Sequence, residues 1–173
     1  PPAFLRRRFS SGPNFVRSRA GNTIAGLTAE AVVSVQRLAS PAAVVELTAA
    51  SRLASTMALS ADGALLATVT KAGVTLWDVE RAAVLHTLSE HTDTVSGLLF
   101  RDGGRKLVSS SRDGTIRTWD CGSGACLQCV DVLGLARPSM ESPTLRSFTF
   151  SADASTLFVG TSRGAVLAFD AAS

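Results

Sequence analysis

A tryptophan–aspartate pair recurs along this 173-residue chain at a fixed interval. Trp77-Asp78 returns 42 residues later as Trp119-Asp120. A step of the same length back from Trp77 reaches Val35, whose surroundings still match although the pair itself is lost. A fourth copy follows 50 residues after the third and ends in Phe169-Asp170. A repeat of roughly 40–50 residues predicts an array of similar supersecondary units rather than one irregular fold.

Each copy has the pattern of short strands separated by turns. In the third copy we expect strands at 95–100, 107–111, 115–119 and 125–130. Turns at 102–104 and 113–114 separate the first three strands, and their aspartates and glycines tolerate the positive φ that tight turns require. No helical period is present, which indicates an all-β fold. Four strands in roughly 40–45 residues is the size of one propeller blade.

The passage from Leu107 to Asp120, preceded by Glu90-His91, resembles the WD40 family. Family members usually carry Gly-His there, so Glu90 is a departure. The resemblance implies a WD40-type β-propeller with about four blades in this chain. Since the family usually has seven or eight blades, we expect part of a larger ring; a closed four-bladed ring is the alternative. The predicted division is a basic segment with a closing outer strand (1–14), a degenerate blade (15–48), a blade (49–90), a blade with a long connector (91–142) and an incomplete blade (143–173).

The resemblance also implies a hydrogen-bonded network inside the third copy. Its members are His91, a strand serine (Ser109 or Ser111), the turn residue Asp113 and Trp119. Serine, histidine and aspartate are also the residues of a hydrolytic triad. We interpret the set as structural, because a buried indole N–H needs an acceptor. The other copies carry Ala49 and Glu141 at the histidine position, so we expect one such network and no catalytic residue.

In WD40 proteins the residue before the turn aspartate often lies on a binding face. The resemblance therefore implies that Arg112 contacts a partner, with Ser162 at the matching place in the fourth copy. Arg105, Lys106 and Arg163 are solvent-facing turn residues that we expect to join them. The alternative is that these are solvated charges only. The connector 133–143 is either a docking loop or a tolerated insertion.

The three cysteines, Cys121, Cys126 and Cys129, provide no disulfide framework and fit a reducing compartment. Zinc sites need about four ligands, and His86 and His91 are the only histidines in the sequence. We therefore expect buried, inert thiols, no metal and no other cofactor. No phosphate-binding loop, metalloprotease motif or membrane-spanning apolar stretch is present in the sequence.

The run Arg6-Arg7-Arg8 has three interpretations. It is a charged outer strand that discourages edge-to-edge pairing, a patch that contacts RNA phosphates, or the remnant of a mitochondrial targeting segment. The chain begins Pro-Pro, which we interpret as a fragment or a processed form.

Three functional hypotheses follow. The favoured one is a non-catalytic scaffold that binds other proteins in a multi-subunit complex. The alternatives are a ribonucleoprotein assembly subunit, through a faint resemblance to transducin-beta-like proteins of the small-subunit processome, and the recognition domain of a larger enzyme. We expect an intracellular location, in the nucleus, nucleolus or cytoplasm, with the mitochondrion less favoured, and no membrane or small-molecule partner.

Overall fold

Fifteen strands build the part of the chain that the computed structural model describes, which is residues 15–27, 32–39, 44–47, 56–70, 73–135, 145–151, 155–162 and 164–170. The first eight are β1 (Phe15–Arg17), β2 (Thr23–Leu27), β3 (Val33–Arg37), β4 (Val44–Leu47), β5 (Met57–Leu59), β6 (Leu65–Thr70), β7 (Gly73–Asp78) and β8 (Ala83–Leu88). The remainder are β9 (Val95–Arg101), β10 (Lys106–Ser111), β11 (Thr115–Asp120), β12 (Cys126–Asp131), β13 (Leu145–Phe150), β14 (Thr156–Thr161) and β15 (Val166–Asp170). A 3-10 turn covers Asp102–Gly104, and one helical turn, α1, covers Val132–Leu135.

The strands form four separate antiparallel sheets, and each sheet corresponds to one sequence copy. In every sheet the strands lie in chain order: β1 to β4, β5 to β8, β9 to β12, and β13 to β15. We call these sheets blades 1 to 4. The all-β prediction is thereby confirmed. The predicted strand positions in blade 3 agree to within one residue, the outer strand being Cys126–Asp131 rather than 125–130.

The blades stack face to face with their first strands on the inside. β1 packs on β5, β5 on β9, and β9 on β13. Three apolar clusters fill the spaces between successive blades. Trp77 faces blade 1, and Trp119 faces blade 2. Because blades 2 and 3 each present an apolar face to both neighbours, the arrangement is that of consecutive propeller blades.

Several predictions concern residues outside the described ranges. The closing outer strand at 4–9, the arginines Arg6, Arg7 and Arg8, most of the connector after α1, and Arg163 all fall there. That the chain is part of a larger ring, and that this ring has seven or eight blades, both stay predictions.

Candidate functional site

The turn between β10 and β11, residues 111–115, is where the predicted network and the predicted contact residue meet. Gly114 has a φ of +88°, a conformation that glycine adopts without a steric penalty. Its amide donates to the carbonyl of Ser111. The amide of Asp113 donates to Ser111 Oγ at 3.1 Å, and that hydroxyl donates to the carbonyl of Asp93 at 3.0 Å. The turn is therefore tied both to itself and to the segment that leads into β9.

A continuous set of hydrogen bonds joins this turn to the blade interior. Asp113 Oδ2 lies 2.8 Å from His91 Nδ1. On the other side of the ring, His91 Nε2 lies 2.8 Å from Ser109 Oγ, which also accepts from Trp119 Nε1 at 2.8 Å. Thr115 Oγ1 donates to Asp113 Oδ1 at 2.7 Å. We call these five side chains, His91, Ser109, Asp113, Thr115 and Trp119, the His91 network.

The donors and acceptors of the network determine the state of His91. The Asp113 carboxylate only accepts, so His91 Nδ1 carries the proton. Trp119 only donates, so the Ser109 hydroxyl is left to donate to an unprotonated Nε2. Burial lowers the pKa of His91 below its usual range, and the nearby Asp113 offsets this only in part. The neutral ring with its proton on Nδ1 is therefore the form that satisfies every polar group.

The Asp113 carboxylate is held ionised by its partners. Burial alone would raise its pKa, but hydrogen bonds from Thr115, His91 and the amide of Thr92 outweigh burial and lower the pKa to about 2. The amide of Thr92 donates to Oδ2 at 3.0 Å. A carboxylate that accepts this many hydrogen bonds stays charged at neutral pH.

The serine–histidine–aspartate order of the network matches that of a hydrolytic triad. Ser109 is nevertheless 0% exposed, and the indole of Trp119 already donates to its hydroxyl. A nucleophile must reach its substrate, and this hydroxyl is sealed between blades 2 and 3. The hydrogen bonds of the network connect the turn to the buried Trp119.

The sequence left Ser109 and Ser111 as alternatives and did not indicate a role for Thr115. The structure places Ser109 in the network and gives Ser111 the separate task of bonding the turn backbone. Thr115 bonds Asp113 through both its amide and its hydroxyl, and the hydroxyl also lies 3.2 Å from His91 Nδ1. The position of Thr115, two residues after the turn aspartate, is the sequence feature that could have predicted this role.

Arg112 lies at the outer end of this turn and is exposed. Its amide donates to the carbonyl of Thr94 at 2.9 Å, which holds its backbone while the side chain extends outward. Ser162 occupies the matching place between β14 and β15 and is also exposed. The amide of Gly164 closes that turn onto Thr161, as Gly114 does in blade 3. The structure thus gives Arg112 and Ser162 equivalent positions in their blades.

Arg105 and Lys106 do not share a surface with Arg112, contrary to the prediction that they join it. They lie at the start of β10, whereas Arg112 follows its end. A six-residue strand separates the two ends by roughly 17 Å. Lys106 is also half-buried and forms an ion pair with Asp102 at 3.0 Å. Arg105 is exposed at the opposite end of the blade from Arg112.

Glu90, which departs from the family pattern, forms an ion pair with Arg117. The Arg117 guanidinium lies 6.0 Å from the centre of the Trp119 ring and donates to Cys126 Sγ at 3.7 Å. Glu90 is therefore connected to the outer side of the His91 network. The sequence identified Glu90 as an exception but offered no partner for it.

The expectation of buried thiols holds for one cysteine and is wrong for another. Cys121 is buried, and burial raises its pKa to about 11. Cys126 is half-buried and Cys129 is exposed on the outer strand. Within the described part of the chain no group of three or more His, Cys, Asp or Glu residues is arranged to hold a metal ion.

No helix among the described residues has the length and apolar character to cross a membrane.

Comparisons with known proteins agree with the fold. The family model "WD domain, G-beta repeat" matches residues 82–120, which run from β8 through β11. Mitochondrial division protein 1 of Phaeosphaeria nodorum is 40% identical over 96 residues, which are 51% of this chain and 13% of that protein. THO complex subunit 6 of Arabidopsis thaliana is 33% identical over 54 residues (31% and 15%), and nuclear distribution protein nudF of Aspergillus niger is 41% identical over 63 residues (35% and 14%).

The four stacked blades and the His91 network define a repeat protein of the propeller class. The matching model identifies a WD40 repeat at residues 82–120, and these relatives are similar to the chain over 31–51% of its length. The chain spans less than a sixth of the length of each of these three relatives. The narrower resemblance to small-subunit processome proteins is not confirmed and stays a prediction.

Proposed function

We propose that the chain is a non-catalytic docking module that recruits another protein into a multi-subunit complex through the face that carries Arg112. The observation that carries this proposal is an exposed arginine on a turn held by partly buried hydrogen bonds on both sides. Rigid turns on a stiff scaffold are where binding residues concentrate, because little conformational entropy is lost when the partner docks.

The chemistry of the surface supports a protein partner. The guanidinium of an arginine binds a carboxylate through two parallel hydrogen bonds, and arginine is enriched among residues that dominate protein interfaces. Thr92, Asp93 and Thr94 are exposed beside Arg112 and provide further polar groups for the rim of such an interface. The sealed Ser109 hydroxyl supports a non-catalytic role for the network beneath.

The test is a quantitative capture experiment from cell extract with the tagged full-length protein. Arg112→Glu is compared with Arg105→Glu, an exposed arginine at the opposite end of the same blade. We expect Arg112→Glu to deplete a defined set of captured proteins about tenfold or more, since loss of one such contact and the added repulsion exceed about 1.4 kcal/mol. Equal recovery with both variants would refute the proposed face.

A ribonuclease arm separates this proposal from ribonucleoprotein assembly. Proteins that bind directly to the Arg112 face stay bound after ribonuclease treatment, whereas a ribonucleoprotein set is lost. We propose an intracellular location, and imaging of the tagged protein against mitochondrial and nuclear markers tests the compartment. Two relatives, a mitochondrial division protein and a nuclear distribution protein, have names that refer to different compartments, which makes that measurement informative.

A further inference from the structure

A depression opens at the end of the blades opposite Arg112. Its volume is about 540 Å³, and all four blades contribute to it, because it lies where the innermost strands β1, β5, β9 and β13 run into their following turns. Arg112 lies at the other end of β10 and is not part of its wall. We call it the basic depression, after the three arginines that line it: Arg17, Arg19 and Arg101.

Positive charge dominates the depression. Asp102 also lines it, but Lys106 forms an ion pair with that carboxylate. Lys106, Arg101 and Arg105 together lower the pKa of Asp102, which is the response of an acid to a positive surrounding potential. Arg17 and Arg19 are exposed, and neither forms an ion pair with any carboxylate of the described residues. Two arginines therefore face solvent without a neutralising partner in the described part of the chain.

Apolar side chains lie beside these charges. Leu59, Phe100 and Phe150 line the depression and are half-buried. The guanidinium of Arg101 lies 4.2 Å from the centre of the Phe150 ring, which fixes it between blades 3 and 4. A ligand that fits here therefore combines negative charge with a small apolar group.

The walls are held in place by contacts between blades. The amide of Ala20 in blade 1 donates to the carbonyl of Ala61 in blade 2 at 3.0 Å. In blade 2, Gly63 lies directly against Thr23 of blade 1: a side-chain carbon at that glycine would lie 2.2 Å from the threonine hydroxyl. These two contacts hold the turn that carries Arg19 against blade 2.

We propose that the basic depression binds a short acidic segment of a partner protein, with two carboxylates on Arg17 and Arg19 and one apolar side chain against Leu59, Phe100 and Phe150. Charge complementarity and the mixed lining carry this assignment. Single-stranded RNA fits less well, because its bases need open aromatic faces for stacking, and Arg101 already covers one face of Phe150. This surface is separate from the proposed Arg112 face, and either can fail while the other stands.

The experiment measures fluorescence anisotropy of a fluorescein-labelled poly-glutamate peptide with one central leucine, titrated with the full chain. The double variant Arg17→Glu/Arg19→Glu is compared with Arg37→Glu/Arg81→Glu, which makes the same change in net charge at exposed arginines that do not line the depression. We expect the first to weaken binding at least about tenfold and the second to change it less than about threefold. Because all four arginines are exposed, the variants retain the fold, which circular dichroism checks.

Two further probes complete the test. A peptide with serine in place of leucine is expected to bind several-fold more weakly. An oligouridylate of equal charge is expected to bind more weakly than the leucine peptide. Equal binding of the serine peptide, equal or tighter binding of the oligouridylate, or equal losses in both double variants would each overturn the proposal.

Discussion

Blades 2 and 3 each bury a tryptophan at the equivalent position of the same kind of sheet, but the hydrogen bonds of the two indoles differ. In blade 2, Trp77 Nε1 donates to Thr68 Oγ1 at 3.0 Å. In blade 3, Trp119 donates to Ser109, and the chain of hydrogen bonds continues to His91 and Asp113. The hairpins differ accordingly. Two residues, 71 and 72, separate the last paired residues of β6 and β7, whereas five residues, 111–115, join the paired parts of β10 and β11.

This difference distinguishes two roles of the hydrogen bonds: holding the buried tryptophan in place and fixing the turn that follows β10. Blade 2 has the same strand order as blade 3 and an equally buried tryptophan, with only one hydroxyl as the indole's partner. A single hydrogen bond from the indole N–H to a hydroxyl is therefore sufficient to satisfy the buried tryptophan. The extension through His91 and Asp113 fixes a longer turn, and that turn carries the exposed Arg112.

Removal of the two matching hydroxyls gives the largest contrast between the blades. Ser109→Ala leaves both the Trp119 N–H and His91 Nε2 without a partner in a buried site, so we expect a loss of about 2–4 kcal/mol. Thr68→Val leaves one N–H unpaired, so we expect about 1–3 kcal/mol. Urea unfolding followed by circular dichroism measures both. Equal losses would show that the histidine side of the network contributes nothing.

The pH dependence of stability provides the second contrast, because the titrating pair of His91 and Asp113 belongs to blade 3. The pKa values of His91 and Asp113 are both lowered in the folded chain, His91 by burial and Asp113 to about 2 by its hydrogen bonds. A group with a lowered folded pKa contributes stability that is present above its unfolded pKa and is lost as the pH falls. We expect losses below about pH 6.5 from His91 and between about pH 4 and 2 from Asp113.

His91→Gln is the control for that profile. It removes the titrating ring, so the fall in urea midpoint between about pH 6.5 and 5 flattens while the fall at lower pH remains. An unchanged profile in the variant would mean that His91 titrates in the folded chain as it does in the unfolded one.

The smallest expected effect concerns Glu90. Its carboxylate is more than half exposed, so its ion pair with Arg117 is screened by solvent. We expect Glu90→Gln to cost less than about 1 kcal/mol and to cost still less at high salt. A loss of stability comparable to that of Ser109→Ala would contradict this expectation, because it would show that Glu90 stabilises the chain as strongly as a buried member of the network does.

The periodicity of the sequence predicted the strands and the resemblance predicted most of the network, but neither predicted the register. A 42-residue shift aligns Ser109 with Ala67, whereas the structure makes Thr68 its equivalent. Leu66 pairs with Trp77 and Leu107 with Trp119, so blade 2 is one residue shorter between these partners. A single deletion inside a hairpin is invisible to a count of tryptophan spacing.

The choice between Ser109 and Ser111 also depended on register. Both side chains lie on the same face of an ideal strand. The pairing of β10 with β9 shifts between Ser110 and Ser111, and this irregularity directs Ser111 into the turn. The basic depression could not be predicted from the sequence, because Arg17 and Arg101 lie far apart in the chain. They line the same depression only because the inner strands stack on one another.

Amide hydrogen exchange at the two equivalent turns tests most directly whether the His91 network makes the Arg112 turn rigid. In blade 3, Asp113 accepts from the amide of Thr115 at 2.8 Å, whereas the sequence of blade 4 has an arginine, Arg163, at the matching place. We expect the amides of Gly114 and Thr115 to exchange at least about tenfold more slowly than that of Gly164, and Ser109→Ala to remove most of this difference. Equal exchange at both turns, or no response to Ser109→Ala, would contradict the account.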